Sequence, residues 1–248
     1  MAIEKQDFNK FLELRSKNEH GKSCAILGDV NIDIDVPIPM DHFKEQMGFE
    51  TVDTFDVLGN PTHKVDLNYK LGDEFYNKYD WVIDAGTTHC CFDVSQVLEN
   101  ILFMLKDEGC IIHTTGLAGY YGRSFYSIHP ALYRDFYEAN DIEIIAMATR
   151  TNVTPNTPWT PTSPESTYLE SISSTHLTFR DSNEKLAPKV DIDMAIDKET
   201  GEVKGLSLTT SSYGGATEDS MLLCHCKRTS RKEFVKPVPK HYIETSGK

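Results

Sequence analysis

Two groups of polar residues follow apolar runs in this chain, and their types could do chemistry. Asp84, Thr87, Thr88 and His89 come after Trp81-Val82-Ile83, and His113, Thr114 and Thr115 come after Cys110-Ile111-Ile112. A histidine can take a proton near neutrality, and carboxylates and hydroxyls grip polar ligand groups. The residues between them indicate what must hold them. Trp81 to Asp84 is a short apolar run ending in a carboxylate, as expected of a strand buried on both faces. Val94, Val97, Leu98, Ile101, Leu102 and Leu105 fall at helical spacing, with Asp93 as N-cap. Gly109 is placed to end that helix, and Cys110 opens the next strand. Such a β-loop-α-turn-β unit forms a right-handed parallel crossover with its functional loops at the carboxyl ends of the strands. Both polar groups therefore belong on one rim.

The same alternation runs through most of the chain. Residues 8–14 read as an amphipathic leading helix, and Cys24-Ala25-Ile26-Leu27-Gly28 as the first buried strand. Residues 31–39 alternate apolar and acidic residues around two prolines, which suits a loop. A turn or two of helix is expected at 41–47, strands at 50–57 and 64–67, a helix started by Pro130 and ended by Asn140, and strands at 142–148 and 221–227. The predicted class is α/β, with a doubly wound, mostly parallel sheet. Residues 1–150 and 221–248 form that domain. Residues 151–220 break the pattern, with an irregular stretch at 151–164 and a β-hairpin at 189–209 that turns at 198–201. An insertion of this length is expected to be a cap, a lid or an oligomer contact, and a homodimer is compatible with it. The tail from 233 reads as an extended arm.

Composition narrows the function classes. The net charge of −13 argues against contact with nucleic acid or anionic membrane, both of which need a basic face. No apolar run reaches the roughly 18 residues of a membrane span, and the charged N-terminus is not a secretory signal. The six cysteines fit a reduced, cytoplasmic protein. Strand alternation turns His225 away from Cys224 and Cys226, so no metal is expected. Neighbouring Cys90 and Cys91 read as packing residues. No Gly-x-Ser-x-Gly elbow, Walker loop or paired carboxylate site is present.

Three segments, in order and at normal spacing, resemble the class I S-adenosylmethionine-dependent methyltransferases. Asp56-Val57-Leu58-Gly59-Asn60-Pro61 with Asp66-Leu67-Asn68 is similar to the second-strand carboxylate and the Asp-Leu element that follows it. Residues 79–89 (YDWVIDAGTTH) resemble the fourth-strand motif, and residues 105–112 (LKDEGCII) the turn before strand five. The resemblance covers about 23–150 and 221–228. It implies seven strands with the last antiparallel, S-adenosyl-L-methionine across the carboxyl ends of strands one to four, and in-line methyl transfer to a small-molecule or sugar-type acceptor. Positioning carries most of the rate in such a transfer, and a hydroxyl acceptor also needs a base. The family's first loop carries three spaced glycines. Residues 26–33 (ILGDVNID) keep one, with Val30 and Ile32 in place of small residues.

The resemblance assigns Leu27, Gly28 and Asp29 to the first loop, Asp56 (or Asp53) to the ribose hydroxyls, and Asp66 and Leu67 to the adenine. Asp84, Gly86 and Thr87 would face the methionine end. Asp56 and Asp66 are equally open to being turn carboxylates. His89 and His113 are the candidate catalytic residues, with loop orientation as the other role open to His89. Tyr120, Tyr121, Arg123, Tyr126 and His129, in a glycine- and aromatic-rich stretch before Pro130, are either a substrate loop or packing for the following helix. Two rivals stand beside this reading: a non-catalytic partner subunit of the same fold, and another nucleotide-dependent enzyme such as a dehydrogenase, against which the missing glycines count too because dinucleotide binding relies on them even more.

Overall fold

The computed structural model describes residues 2–18, 20–34, 36–118, 124–151, 158–162, 190–196, 203–210 and 220–239. In chain order its elements are β1 (Ala2–Glu4), α1 (Lys5–Ser16), β2 (Ser23–Leu27), β3 (Asn31–Asp33), β4 (Pro37–Ile38), α2 (Met40–Met47), β5 (Thr51–Asp56) and β6 (His63–Lys64). Then come β7 (Tyr79–Asp84), α3 (Val94–Met104), β8 (Leu105–Ala118), α4 (Pro130–Ala139), β9 (Ile142–Thr151), β10 (Thr160–Thr162), β11 (Val190–Ile196), β12 (Val203–Thr210) and β13 (Ser220–Arg228).

The main sheet has the order β10-β9-β13-β8-β7-β2-β5-β6. The pairs β6–β5, β5–β2, β2–β7 and β7–β8 are parallel, and β13 lies antiparallel between β8 and β9. The chain order reverses direction beside β2, and open sheets of this kind bind ligands at that switch point. The expected seven strands are present. An eighth, β10, extends the β9 edge where an irregular stretch was expected. The predicted strand at 64–67 is shorter and earlier, at His63–Lys64.

Side-chain alternation builds two cores. On one face Ala25, Leu27, Val82, Ile111, Leu222, Cys224 and Cys226 pack with Val97, Leu98 and Ile101 of α3 and Tyr133 and Tyr137 of α4. On the other, Cys24, Ile26, Trp81, Ile83, Ile112 and Leu223 pack with Phe8, Phe11 and Leu14 of α1 and Phe43 and Met47 of α2. Each large apolar side chain taken fully out of water contributes roughly 1.5–3 kcal/mol, so both layers are firmly held. His225 lies on the α1 face, stacked on Trp81 at 5.8 Å, with both thiols on the opposite face.

Two local expectations are corrected. The stretch 31–39 is not a loop: β3 pairs in parallel with β1 and antiparallel with β4, making a small three-stranded sheet. Pro37 is tolerated because β4 is an edge strand. α3 ends at Met104 rather than at Gly109, and β8 starts directly. The reversal falls in a bulge where Glu108 has φ 60°, between the pairs Tyr79–Leu105 and Trp81–Cys110. A Cβ on Gly109 would meet Leu105 Cδ1 and the Lys106 carbonyl oxygen at 2.8 Å, so glycine is required there for space. The hairpin strands β11 and β12 pair antiparallel, and their turn at 198–201 lies outside the described residues.

Candidate functional site

The rim is assembled by register. Leu27 stands beside Phe55 and Asp84, and Asp84 stands beside His113, so the last residues of β2 and β7 and the penultimate residue of β5 are level with the middle of β8. Each strand stops there because a glycine or polar turn follows. Gly28, at φ 103°, turns the chain out of β2, and its N–H donates to the Phe55 carbonyl at 2.7 Å. Gly86, at φ 93°, does the same after β7. Neither angle suits a side-chain-bearing residue.

Asp56 ends β5. Its Oδ2 accepts the Asp29 N–H at 2.7 Å and its Oδ1 the Leu58 N–H at 3.0 Å. Asp29 in turn accepts the Asn60 N–H at 2.8 Å. The two carboxylates thus tie the β2 turn to the β5–β6 loop. An ionised carboxylate offers about four acceptor positions, so Asp56 keeps capacity for two further donors. Val30 and Ile32 are buried in the α1-side core. Asp66 accepts from Asn68 N and Nδ2 at 2.9 and 2.7 Å in an Asx turn, while Leu67, expected against the adenine, is buried in the α3-side core with its carbonyl fixed by Asn100 Nδ2 at 3.0 Å.

Asp84 is fully buried. Its Oδ1 accepts the N–H groups of Thr87 and Thr88 at 2.8 and 3.1 Å, and its Oδ2 accepts His113 Nδ1–H at 2.8 Å. Burial alone would raise its pKa, but the bond from His113 and those from Thr88 outweigh it and hold the carboxyl below its usual range. The Thr87 hydroxyl crosses to the Leu27 carbonyl at 2.7 Å and locks the β7 turn against β2.

The expectation for His113 is corrected here. The ring is fully buried, stacks on Tyr133 at 4.5 Å, and has both nitrogens engaged, Nδ1 by Asp84 and Nε2 by the Tyr137 hydroxyl. It has no path to a reacting proton and serves to fix Asp84. His89 is 4% exposed, accepts the Gly116 N–H at Nδ1, and receives Phe125 N and Tyr126 N on its carbonyl. That matches the loop-orienting alternative. His129 is the N-cap of α4, its Nδ1 accepting from Ala131 N at 3.1 Å. Tyr126 is 40% exposed and donates to the Phe92 carbonyl at 3.0 Å, within an exposed aromatic patch with Phe92 and Phe125. Tyr120, Tyr121 and Arg123 lie outside the described residues. Burial pushes the Cys91 thiol up to about 12, which removes it as a nucleophile.

Sequence reasoning missed the Tyr133–Tyr137 support of His113, although the four-residue spacing of the two rings put them on one helix face. It also missed Arg150, which is buried at the end of β9 with Asp7 and Glu4 of the N-terminal segment. No local signal joins residues more than 140 positions apart.

No protein-family model matches the chain, and no curated protein matches it. Solved structures do. A Bacillus halodurans C-125 protein classed as a methyltransferase superposes with a TM-score of 0.51 at 8% identity, over 90% of this chain and 99% of that one. The YcgJ protein of Bacillus subtilis gives 0.42 at 10% identity, over 91% and 100%. The 1,6-didemethyltoxoflavin-N1-methyltransferase of Burkholderia thailandensis, solved with 1,6-didemethyltoxoflavin and S-adenosylhomocysteine, gives 0.38 at 12% identity, over 90% and 78%. The fold is that of the class I methyltransferases, with the antiparallel strand inserted beside strand five.

Proposed function

We propose that this protein is an S-adenosylmethionine-dependent methyltransferase acting on a small molecule. The observation that carries the reading is Asp56, a carboxylate with spare acceptor capacity at the end of β5, level with the Gly28 turn and tied to Asp29. Such a carboxylate suits a pair of ribose hydroxyls. Gly28 turns the backbone there, and Val30 and Ile32, which stand where the family has small residues, are buried in the α1-side core. Asp66 then accepts a hydrogen bond from the adenine amino group, while Leu67, buried in the α3-side core, anchors the turn. Leu27, Asp29, Gly86 and Thr87 line the way to the methionine end, with Asp84 holding the Thr87–Thr88 turn in shape.

When bound, the cofactor supplies an electrophilic methyl carbon on a sulfonium sulfur. The chain's own work is to hold two reactants close and in line. Tyr126 and the neighbouring aromatic residues border the rim on the β7 side.

Isothermal titration with S-adenosylhomocysteine tests the reading. Binding in the micromolar range is expected, and Asp56→Ala should weaken it at least tenfold, about 1.4 kcal/mol. Absence of heat at millimolar ligand would overturn the enzymatic reading in favour of a non-catalytic partner subunit. Unchanged affinity in the variant would remove Asp56 from the site.

A further inference from the structure

A cavity of about 170 Å³ lies at the end of the sheet opposite the rim, between the last turn of α3 and the segment that follows β13. β13 leads down to it: Cys224 is level with His113, and Arg228 is level with Ile142 at the foot of β9. Those four residues of strand put roughly 13 Å between the two levels, at about 3.3 Å per residue. Arg228, Arg231 and Lys232 form one wall of the cavity, and Tyr76, Phe103 and Phe234 give it flat apolar sides. Tyr76 and Phe103 meet at 5.2 Å, and the Arg231 guanidinium lies on the Tyr76 ring at 4.9 Å.

The three cations are unequally balanced. Lys232 pairs with Asp141 at 2.9 Å and Arg231 Nε with Asp107 at 3.1 Å, and both acids are exposed to water. Arg228, only 4% exposed, has no carboxylate partner among the described residues. Its Nη1 and Nη2 donate to the Leu105 and Leu102 carbonyls at 2.5 and 2.6 Å, and its Nε is buried without a partner. Arg231 Nη2 donates to the same Leu105 oxygen at 2.5 Å. Two guanidiniums therefore share one carbonyl oxygen, and only the partial charge of backbone opposes the buried one. Buried charges are ordinarily paired, so this arrangement favours an anion beside it. Burial and the neighbouring Arg231 together lower the Arg228 pKa to about 10, a strain that an anion would relieve.

The walls define which anion. Arg231 spends Nε and Nη2 on Asp107, Asn77 and Leu105, which leaves Nη1 as its open donor among the described residues. The aromatic sides suit a flat apolar body, and about 150 Å³ is enough for one benzene ring. Glu99, one turn before Phe103 on α3, also lines the cavity and pairs with no described cation. Its carboxylate disfavours a second negative charge on the ligand.

We propose that this cavity is a ligand site, separate from the crevice, for a flat apolar monoanion of about benzoate's size, its carboxylate beside Arg231 and Lys232 and its ring against the aromatic sides. The site stands independently of the methyltransferase reading.

The test is ligand-observed saturation-transfer NMR on the full chain with benzoate as probe, and with benzamide and phthalate as comparators. Benzoate should bind at least tenfold tighter than neutral benzamide and severalfold tighter than the dianion phthalate. Arg231→Gln should weaken benzoate at least tenfold, and Glu99→Gln should tighten it severalfold, each in protein that still unfolds cooperatively in urea. Should Arg231→Gln fail to fold, Glu99→Gln still decides, because only a carboxylate placed near the anion changes affinity in that direction. Equal binding of benzoate and benzamide, or a Glu99→Gln variant with unchanged or weaker affinity, would overturn the site. Saturating S-adenosylhomocysteine should leave benzoate affinity unchanged, and displacement of benzoate would put it in the crevice and overturn the proposal. If the nucleoside does not bind and benzoate responds to the variants as stated, the methyltransferase reading fails while this site remains.

Discussion

At the scale of single residues, the rim depends on a buried acid whose work is to hold backbone. Asp84 satisfies two N–H groups and one imidazole at once, and removing His113 would leave a fully buried carboxylate oxygen without its donor. Such a loss costs about 1–3 kcal/mol, more for a charged group. His113→Leu should therefore lower the unfolding free energy by about 2–4 kcal/mol in urea titration. Affinity for S-adenosylhomocysteine in the folded protein should stay within a few-fold. A large loss of affinity with unchanged stability would return His113 to the site. The types and rim position of Asp84, His89 and His113 were readable from the chain, but their tasks were not. Whether a histidine faces a reactant or a tyrosine depends on which helix covers it, and α4 arrives some twenty residues later.

At the scale of elements, segments that satisfy several rules at once are where sequence and structure agree. α3 has its apolar face, its Asp93 cap, accepting from Gln96 N at 2.9 Å, and a strand on either side. α4 is similarly bounded by His129 and Pro130. His129→Ala should cost about 1 kcal/mol by loss of the cap, read as a lower denaturation midpoint. A collapse of nucleoside binding in that variant would instead mark His129 as a ligand contact. β3 and β4 were misread because they hold three and two residues, and two prolines outweighed the alternation of Asn31, Ile32 and Asp33. β10 was missed for a similar reason: a three-residue edge strand containing Pro161 carries almost no period.

At the scale of the whole molecule, two buried titrating groups pull stability in opposite directions over the same pH range. Burial lowers His225 from 6.5 to about 4, so its folded form stays neutral where the unfolded chain takes a proton. That contribution is full above pH 6.5 and is lost as pH falls towards 4. Burial, partly offset by Arg150, raises Asp7 from 3.8 to about 6, so the folded form keeps a proton that the unfolded chain releases. Stability from that group is full below pH 3.8 and is lost as pH rises through 6. Each effect is roughly 3 kcal/mol and they nearly cancel, so the native protein should show a flat melting temperature between pH 4 and 6. His225→Phe keeps a ring on Trp81 and removes one arm, so its melting temperature should climb as pH drops from 6 to 4. A parallel, flat profile would show that Asp7 does not titrate as its burial requires. Below that range Asp80, for which the hydrogen bonds from Ser23, Lys22 and Lys106 outweigh burial and hold the pKa at about 2, withdraws its support as it protonates.

The position of β13 also shapes how the chain can be made. The strands on either side of it, β8 and β9, are synthesised long before residues 220–228 leave the ribosome. Until then the nascent protein holds a slot in the centre of its sheet, with two long rows of backbone groups open to any extended segment nearby. Arg228 then fastens the inserted strand to the carbonyls of Leu102 and Leu105. Translation stopped at residue 219 should leave this slot open and the product insoluble, whereas a chain ending at 239 should fold.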